Sequence, residues 1–302
     1  MRVSSTQYHI TVNAALQNGN NQLEKLMSQM ASGNRLLRPS DDPISHVRAS
    51  RLQREEANNA QYLSNIGALK SRMTHSETVL GSAGSDLQSA RDLLLWALDG
   101  SNASADLSAM ATSMQALRDS LYATTLTRDQ EGNYLFSGTD TKTPTVQQDN
   151  TQPIGSRYSA GGNSDQQMVA VGNGIEQPAN VSLQEMADWL NKLDLGIQAL
   201  GSGNNANDPG VRAALSTALG AVDDGMDKVS TKIARLGGGQ NIIATLEHSL
   251  KNQSTGNQTA ILDYVQLDYG EAAIQVNTLL AALKATQAAY GKVSRLSLFD
   301  AL

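Results

Sequence analysis

The chain has 302 residues, with 23 Lys and Arg against 29 Asp and Glu. The resulting charge of -6 argues against a nucleic-acid binder, which carries clustered positive charge to displace counterions. No cysteine is present, which removes thiolate nucleophiles, cysteine-ligated zinc and disulfide frameworks, and no apolar run approaches the ~18 residues of a membrane span. Only 17% of residues are charged and 4% aromatic, a composition that suits slender helix–helix seams better than a wide globular core.

The first segment, residues 1–42, reads as a coiled-coil arm. Leu16, Leu23, Met30 and Leu37 recur every seven residues, with Leu26 three places after Leu23. Gly19 and Gly33 fall on the alternate seam positions, so this helix is marginal alone and fits folding against a partner. Asn13, Asn18, Asn20 and Asn21 interrupt any secretory hydrophobic region, which leaves a cytosolic protein or one exported without a cleaved signal.

Residues 43–132 read as one half of a helical rod. Asp42 is a good N-cap and Pro43 suits the first helical position, where its missing donor costs nothing. Leu52, Ile66, Met73, Leu80, Leu87 and Leu94 hold one seven-residue register broken only by Asn59, a helix of roughly 80 Å if continuous. After a turn at Asp99-Gly100-Ser101, Leu107, Met110, Met114, Leu117 and Leu121 mark a second helix packing back. Residues 133–181 read as a β-rich insert, with strand-like runs at 133–138, 157–159 and 167–171. Its stretch from about 140 to 178 is expected to be a surface excursion that tolerates change.

Residues 182–258 form the other half of the rod. Helix returns over Leu183–Leu200 and again after Asp208-Pro209, where Leu215, Val222, Val229, Leu236, Ile243 and Leu250 share a register. Gly237-Gly238-Gly239 lies inside this run at about 1 kcal/mol per glycine, so that either the helix breaks there or its neighbours impose it, and polar Lys251–Gln258 is expected to end it. Residues 259–302 are the closing arm, with Tyr269, Val276, Leu283 and Tyr290 at heptad spacing and Ala272, Leu279 and Val293 three places behind. The fold class is therefore mainly α: an elongated antiparallel bundle or coiled coil formed by both chain ends, with a small inserted β domain.

Catalytic constellations are missing. The histidines at 9, 46, 75 and 248 sit in different segments without a second ligand at i+4, and the three glycines lack the Lys-Ser/Thr of a phosphate loop. Asp41-Asp42 beside Pro43 reads as a helix cap rather than an acid–base pair. We expect no enzyme, no cofactor and no metal.

Several stretches carry a resemblance. Leu26-Met27-Ser28-Gln29-Met30-Ala31-Ser32-Gly33-Asn34-Arg35-Leu36, running on to Ser40-Asp41-Asp42-Pro43, resembles the amino-terminal signature of the bacterial flagellin superfamily. Arg235-Leu236-Gly237 with Gln240-Asn241 and Leu246-Glu247 is similar to its carboxy-terminal signature, although Gly238-Gly239 departs from it. Asp41-Asp42-Pro43, the run Gly132-Asn133-Tyr134-Leu135-Phe136-Ser137-Gly138 and the ending Leu296–Leu302 resemble the hook-associated branch rather than flagellin itself.

That resemblance implies an extracellular structural protein of the flagellum, at the junction of hook and filament. It would leave through the flagellar type III export apparatus, with a cytosolic export chaperone on its carboxy-terminal helix. It would stand in a ring of its own copies between the first hook-associated protein and flagellin. The interface residues would be Leu16, Leu23, Leu26, Met30, Leu37, Tyr269, Val276, Leu279, Leu283, Tyr290 and Val293, with Leu298, Phe299 and Leu302 of the ending. Flagellin is the alternative within the class. A cytosolic coiled-coil signalling protein is the alternative outside it, although that would lack a β insert.

Overall fold

The computed structural model describes residues 2–299, and side chains over residues 6–293. The element order is α1 (Arg2–Ser32), α2 (Pro43–Ala97), α3 (Ser104–Thr125), β1 (Val146–Gln148), β2 (Tyr158–Ala160), β3 (Met168–Gly172), β4 (Ile175–Pro178), α4 (Met186–Leu200), α5 (Pro209–Val265) and α6 (Tyr269–Phe299). The class is a helical bundle with a small β part, and both ends of the chain contribute helices. The chain divides into two compact units: Met1–Asn58 with Lys251–Leu302, and Asn59–Leu250.

In the second unit, the heptad residues Ile66, Met73, Leu80, Leu87 and Leu94 of α2 are buried together with Leu215, Val222, Val229, Leu236 and Ile243 of α5. Those two helices run antiparallel, since Glu77 bonds Gln240 and Arg91 pairs with Asp223. Helices α3 and α4 complete the core through Leu107, Met114 and Leu121, and through Trp189, Leu193 and Leu200. Trp189 enters this apolar layer because its indole N–H has an outlet: it donates to Asp224 Oδ2 at 2.9 Å. That bond, followed by the one from Lys228, holds the Asp224 carboxyl below its ordinary range.

Helix α5 starts where Asp208 Oδ1 accepts the Gly210 and Val211 amides. It passes through Gly237-Gly238-Gly239 without a break and does not end at Lys251–Gln258. Polar side chains there bond across to α2 rather than breaking the backbone, and the helix stops only at Val265, before Asp268-Tyr269-Gly270.

The β part is two antiparallel hairpins, β1–β2 and β3–β4. In the second, Gly172 pairs with Ile175 across Asn173-Gly174, and Gly174 takes φ 70°, a left-handed conformation that glycine adopts without strain. Residues 133–138, which the pattern predicts as a strand, instead form a buried plug of turns. Leu135, Phe136 and Ser137 are all buried, which one face of an alternating strand cannot achieve, and glycines with positive φ at 132 and 138 bound the segment. The real first strand, Val146–Gln148, has a single apolar residue and so carries no alternation signal.

The insert is not a loose excursion. Val146, Tyr158 and Val171 belong to the same apolar cluster as α3 and α4. The Asn191 side chain pairs with both the amide and the carbonyl of Tyr158, at 2.9 and 2.7 Å, standing in for a neighbouring strand. Beside it, buried Asp194 of α4 joins Arg118 of α3 and Arg157 before β2.

Candidate functional site

The first unit brings the two ends of the chain together: α1 packs along α6. Gly19, which the heptad pattern places on the seam, is buried, and a Cβ there would lie 2.6 Å from Leu283 Cδ2. The glycine that weakens the isolated helix is therefore what lets Leu283 seat against its backbone. Leu16, Leu23, Leu26, Met30, Val276, Leu279 and Tyr290 are half-buried, and Ala272 and Leu283 are buried. Toward the helix ends, His9 Nδ1 and the Tyr290 hydroxyl are 2.9 Å apart with their rings edge to face.

Other predicted seam residues are placed differently. Tyr269 and Val293 are both exposed. Leu37 lies beyond the end of α1, in the loop 33–42, because Gly33 terminates the helix. Gly33 takes φ 71° and donates its amide to the Gln29 carbonyl at 2.9 Å, the left-handed closure of a helix C-terminus. The heptad continues in the sequence, but the helix that would carry it does not. Leu302 lies outside the described residues, as do the side chains of Leu298 and Phe299.

The loop after Gly33 docks on the bend between α5 and α6. Asn34 and Gln266 form an antiparallel bridge, Arg35 N donates to Val265 O at 2.7 Å, and Leu267 N donates to Gly33 O at 3.0 Å. Side chains reinforce this joint: Arg35 Nη2 donates to Tyr264 O, Gln29 Nε2 to Arg35 O, and the Tyr269 hydroxyl to Met30 O. Backbone pairing of this kind sets the register in which α1 and α6 leave the joint. Gln29, Arg35 and Tyr264 were not among the predicted interface residues. The available signal was Gln29 itself, a polar residue on an apolar helix face and buried here.

Two aspartates lock the exit from the loop. Asp41 Oδ2 accepts the Leu37 and Arg38 amides, and its Oδ1 lies 2.7 Å from Lys25 Nζ. The Lys25 hydrogen bond, then the Arg38 amide, hold its carboxyl below the ordinary range. Asp42 Oδ1 accepts the Ser45 amide while its carbonyl accepts from His46, opening α2 at Pro43. Its carboxyl is lowered too, by Ser45 first and by Arg35 more weakly.

Not all apolar surface is covered. Ile10 and Met27 on α1, Ile274 and Leu280 on α6, and Ile44 and Val47 on the first turns of α2 remain exposed. Among the described residues no cluster of His, Cys, Asp or Glu could hold a metal, and no helix is long and apolar enough to cross a membrane. The arrangement offers surface and register; it is built for contact.

Comparison with known proteins agrees with that class of molecule. Residues 3–141 match the bacterial flagellin N-terminal helical region. Flagellar hook-associated protein 3 of Salmonella typhimurium is 25% identical over 316 residues, covering 99% of each chain. A solved structure described as a flagellar hook-associated protein of Vibrio parahaemolyticus is 31% identical, with TM-score 0.68, and covers 75% of this chain and 100% of that one. The crystal structure of FlgL from Xanthomonas campestris shares the fold at TM-score 0.62 and 14% identity, over 70% of this chain and 99% of that one. The chain belongs to the flagellar hook-associated protein 3 family.

Proposed function

We propose that this chain is a structural subunit of the flagellar hook–filament junction, working by contact and not by catalysis. The observation that carries the reading is the pairing of the two chain ends, α1 on α6, in a chain that matches hook-associated protein 3 along 99% of both lengths. The paired arms would form the inner layer of a tube. Residues Leu16, Leu23, Leu26, Met30, Val276, Leu279 and Leu283 would seal each pair, and exposed Ile10, Met27, Ile274 and Leu280 would meet neighbouring subunits. Its neighbours would be copies of itself in a ring, the first hook-associated protein on one side and flagellin on the other. Export through the type III apparatus without a cleaved signal, with a chaperone shielding α6, accounts for how such a sticky pair of helices reaches the outside of the cell.

Labelling the protein on isolated flagella tests this directly. The expected result is one narrow band at the hook–filament boundary; label along the whole filament would make it a filament subunit. Replacing Leu279 and Leu283 with aspartate puts charge into the arm seam. Unfolding of the second unit should be unchanged while motility is lost and flagellin leaks into the medium. Normal swimming of that variant would overturn the role given to the seam.

A further inference from the structure

Within the first unit, α2 and α5 meet through a layer that is polar where the neighbouring contacts are apolar. Gln253 Nε2 donates to Glu55 Oε1 at 2.5 Å, Gln258 Nε2 to Glu56 Oε1 at 3.2 Å, and Ser254 also donates to Glu56. Asn257 lies seven residues after Leu250, on the register that Leu215 begins, and is only 9% exposed. Glu56 Oε2 and Asn257 Nδ2 are buried with no hydrogen-bond partner. Nearby, Ala49 on α2 and Leu267 in the bend after α5 are buried in the ordinary apolar manner.

A layer like this is expensive. A buried polar atom without a partner lowers stability, and an apolar pair of similar size would do better. What the layer offers is discrimination, because a single buried asparagine at a seam position penalises every pairing that moves it against leucine. Discrimination matters at this place in the chain. The heptad spacing of both helices, interrupted on α2 by buried Asn59, sets apolar residues against apolar residues again after a seven-residue slip over most of their length, yet it would shift α5 by about 10 Å along α2. Such a shift would tear Asn34 from Gln266 and Arg35 from Val265, and α6 would leave the joint out of register with α1.

We propose that the Glu56–Asn257 layer is a register pin that gives up stability so that the two arms emerge aligned. The chain has no cysteine, so spin labels can be placed at will. The test uses the full chain labelled at the exposed positions Arg51 and Thr255, both within the first unit, with pulsed dipolar distances read by electron paramagnetic resonance. The native sequence should give one narrow distance. Glu56→Leu with Asn257→Leu should raise the unfolding temperature and add a second distance population, displaced by a heptad. A single unchanged distance in that variant would overturn the pin, and a lowered unfolding temperature would overturn its cost. Should the double variant fail to fold, Asn257→Leu alone carries the same two readings. Asn257→Ser, which keeps the layer polar, should retain the single distance; a second population there would also count against the proposal.

Discussion

Replacing Gly237 and Gly238 with alanine should stabilise the second unit, and the size of the effect follows from their surroundings. Both glycines lie inside α5, neither has a φ in the left-handed region, and a Cβ built on either meets no atom within 4 Å. No steric penalty opposes the change, so the gain is the helix-propensity difference of about 0.8–1.0 kcal/mol per residue. Much of it acts by removing conformational freedom from the unfolded chain. For a unit of this size 1 kcal/mol moves the midpoint by roughly 2–4 °C, so the pair should raise it by about 3–8 °C. Scanning calorimetry of the full chain measures this. Gly239→Ala is the internal contrast, because its Cβ would stand 3.0 Å from Met73 Cε and the side chain must move. An unchanged or lowered midpoint in the double variant would refute the reasoning and mean that α5 needs flexibility at this point. A higher midpoint combined with lost junction function would show that the open space beside the glycines is reserved for a neighbouring subunit.

Three further outcomes are expected. Asp41 and Asp42 have lowered folded values, so their contribution to the joint is complete above the ordinary value near 3.8 and disappears as pH falls through the lower folded value. Corrected for intrinsic exchange, protection of the Leu37, Arg38 and Ser45 amides should be flat from about pH 7 to 5 and fall below about 4. In Asp41→Asn, the Leu37 and Arg38 amides should be weakly protected at every pH. Asp194→Asn removes the buried carboxylate between Arg118 and Arg157 and leaves Arg118 with Asp119 as its remaining counter-charge, a loss of about 1.5–3 kcal/mol. Calorimetry should show the second unit's midpoint lower by about 3–12 °C; a shift of a degree or less would mean that Asp119 and water compensate the arginines. Replacing residues 140–178 with a Gly-Ser linker removes Val146, Tyr158 and Val171 from the core, so thermal unfolding followed by circular dichroism should shift down. An unchanged midpoint would return the insert to the status of a surface excursion.

Repetition and punctuation made much of this protein legible from its residues alone. Heptad leucines identified the long helices, because an apolar stripe at that spacing can be buried in no other regular conformation. Asp-Pro pairs marked the starts of α2 and α5, where one carboxylate and a missing donor satisfy the backbone locally. The absence of cysteine, of ligand spacing and of clustered positive charge framed the function before any coordinate did. What depended on contacts distant in sequence was not legible. Gly19 reads as a weak point until Leu283 is found against it. Leu37 continues a heptad on paper, while Gly33 has already closed the helix and turned its residues toward Val265 and Gln266. Polar Lys251–Gln258 reads as an ending, but α2 supplies Glu55 and Glu56 to receive it. Leu135 and Phe136 look like strand residues until the helices around them need a plug. Local patterns determine which segments are helical; which of their faces are buried, and whether a polar stretch ends or continues them, depends on partners hundreds of residues away, and only the folded chain brings those together.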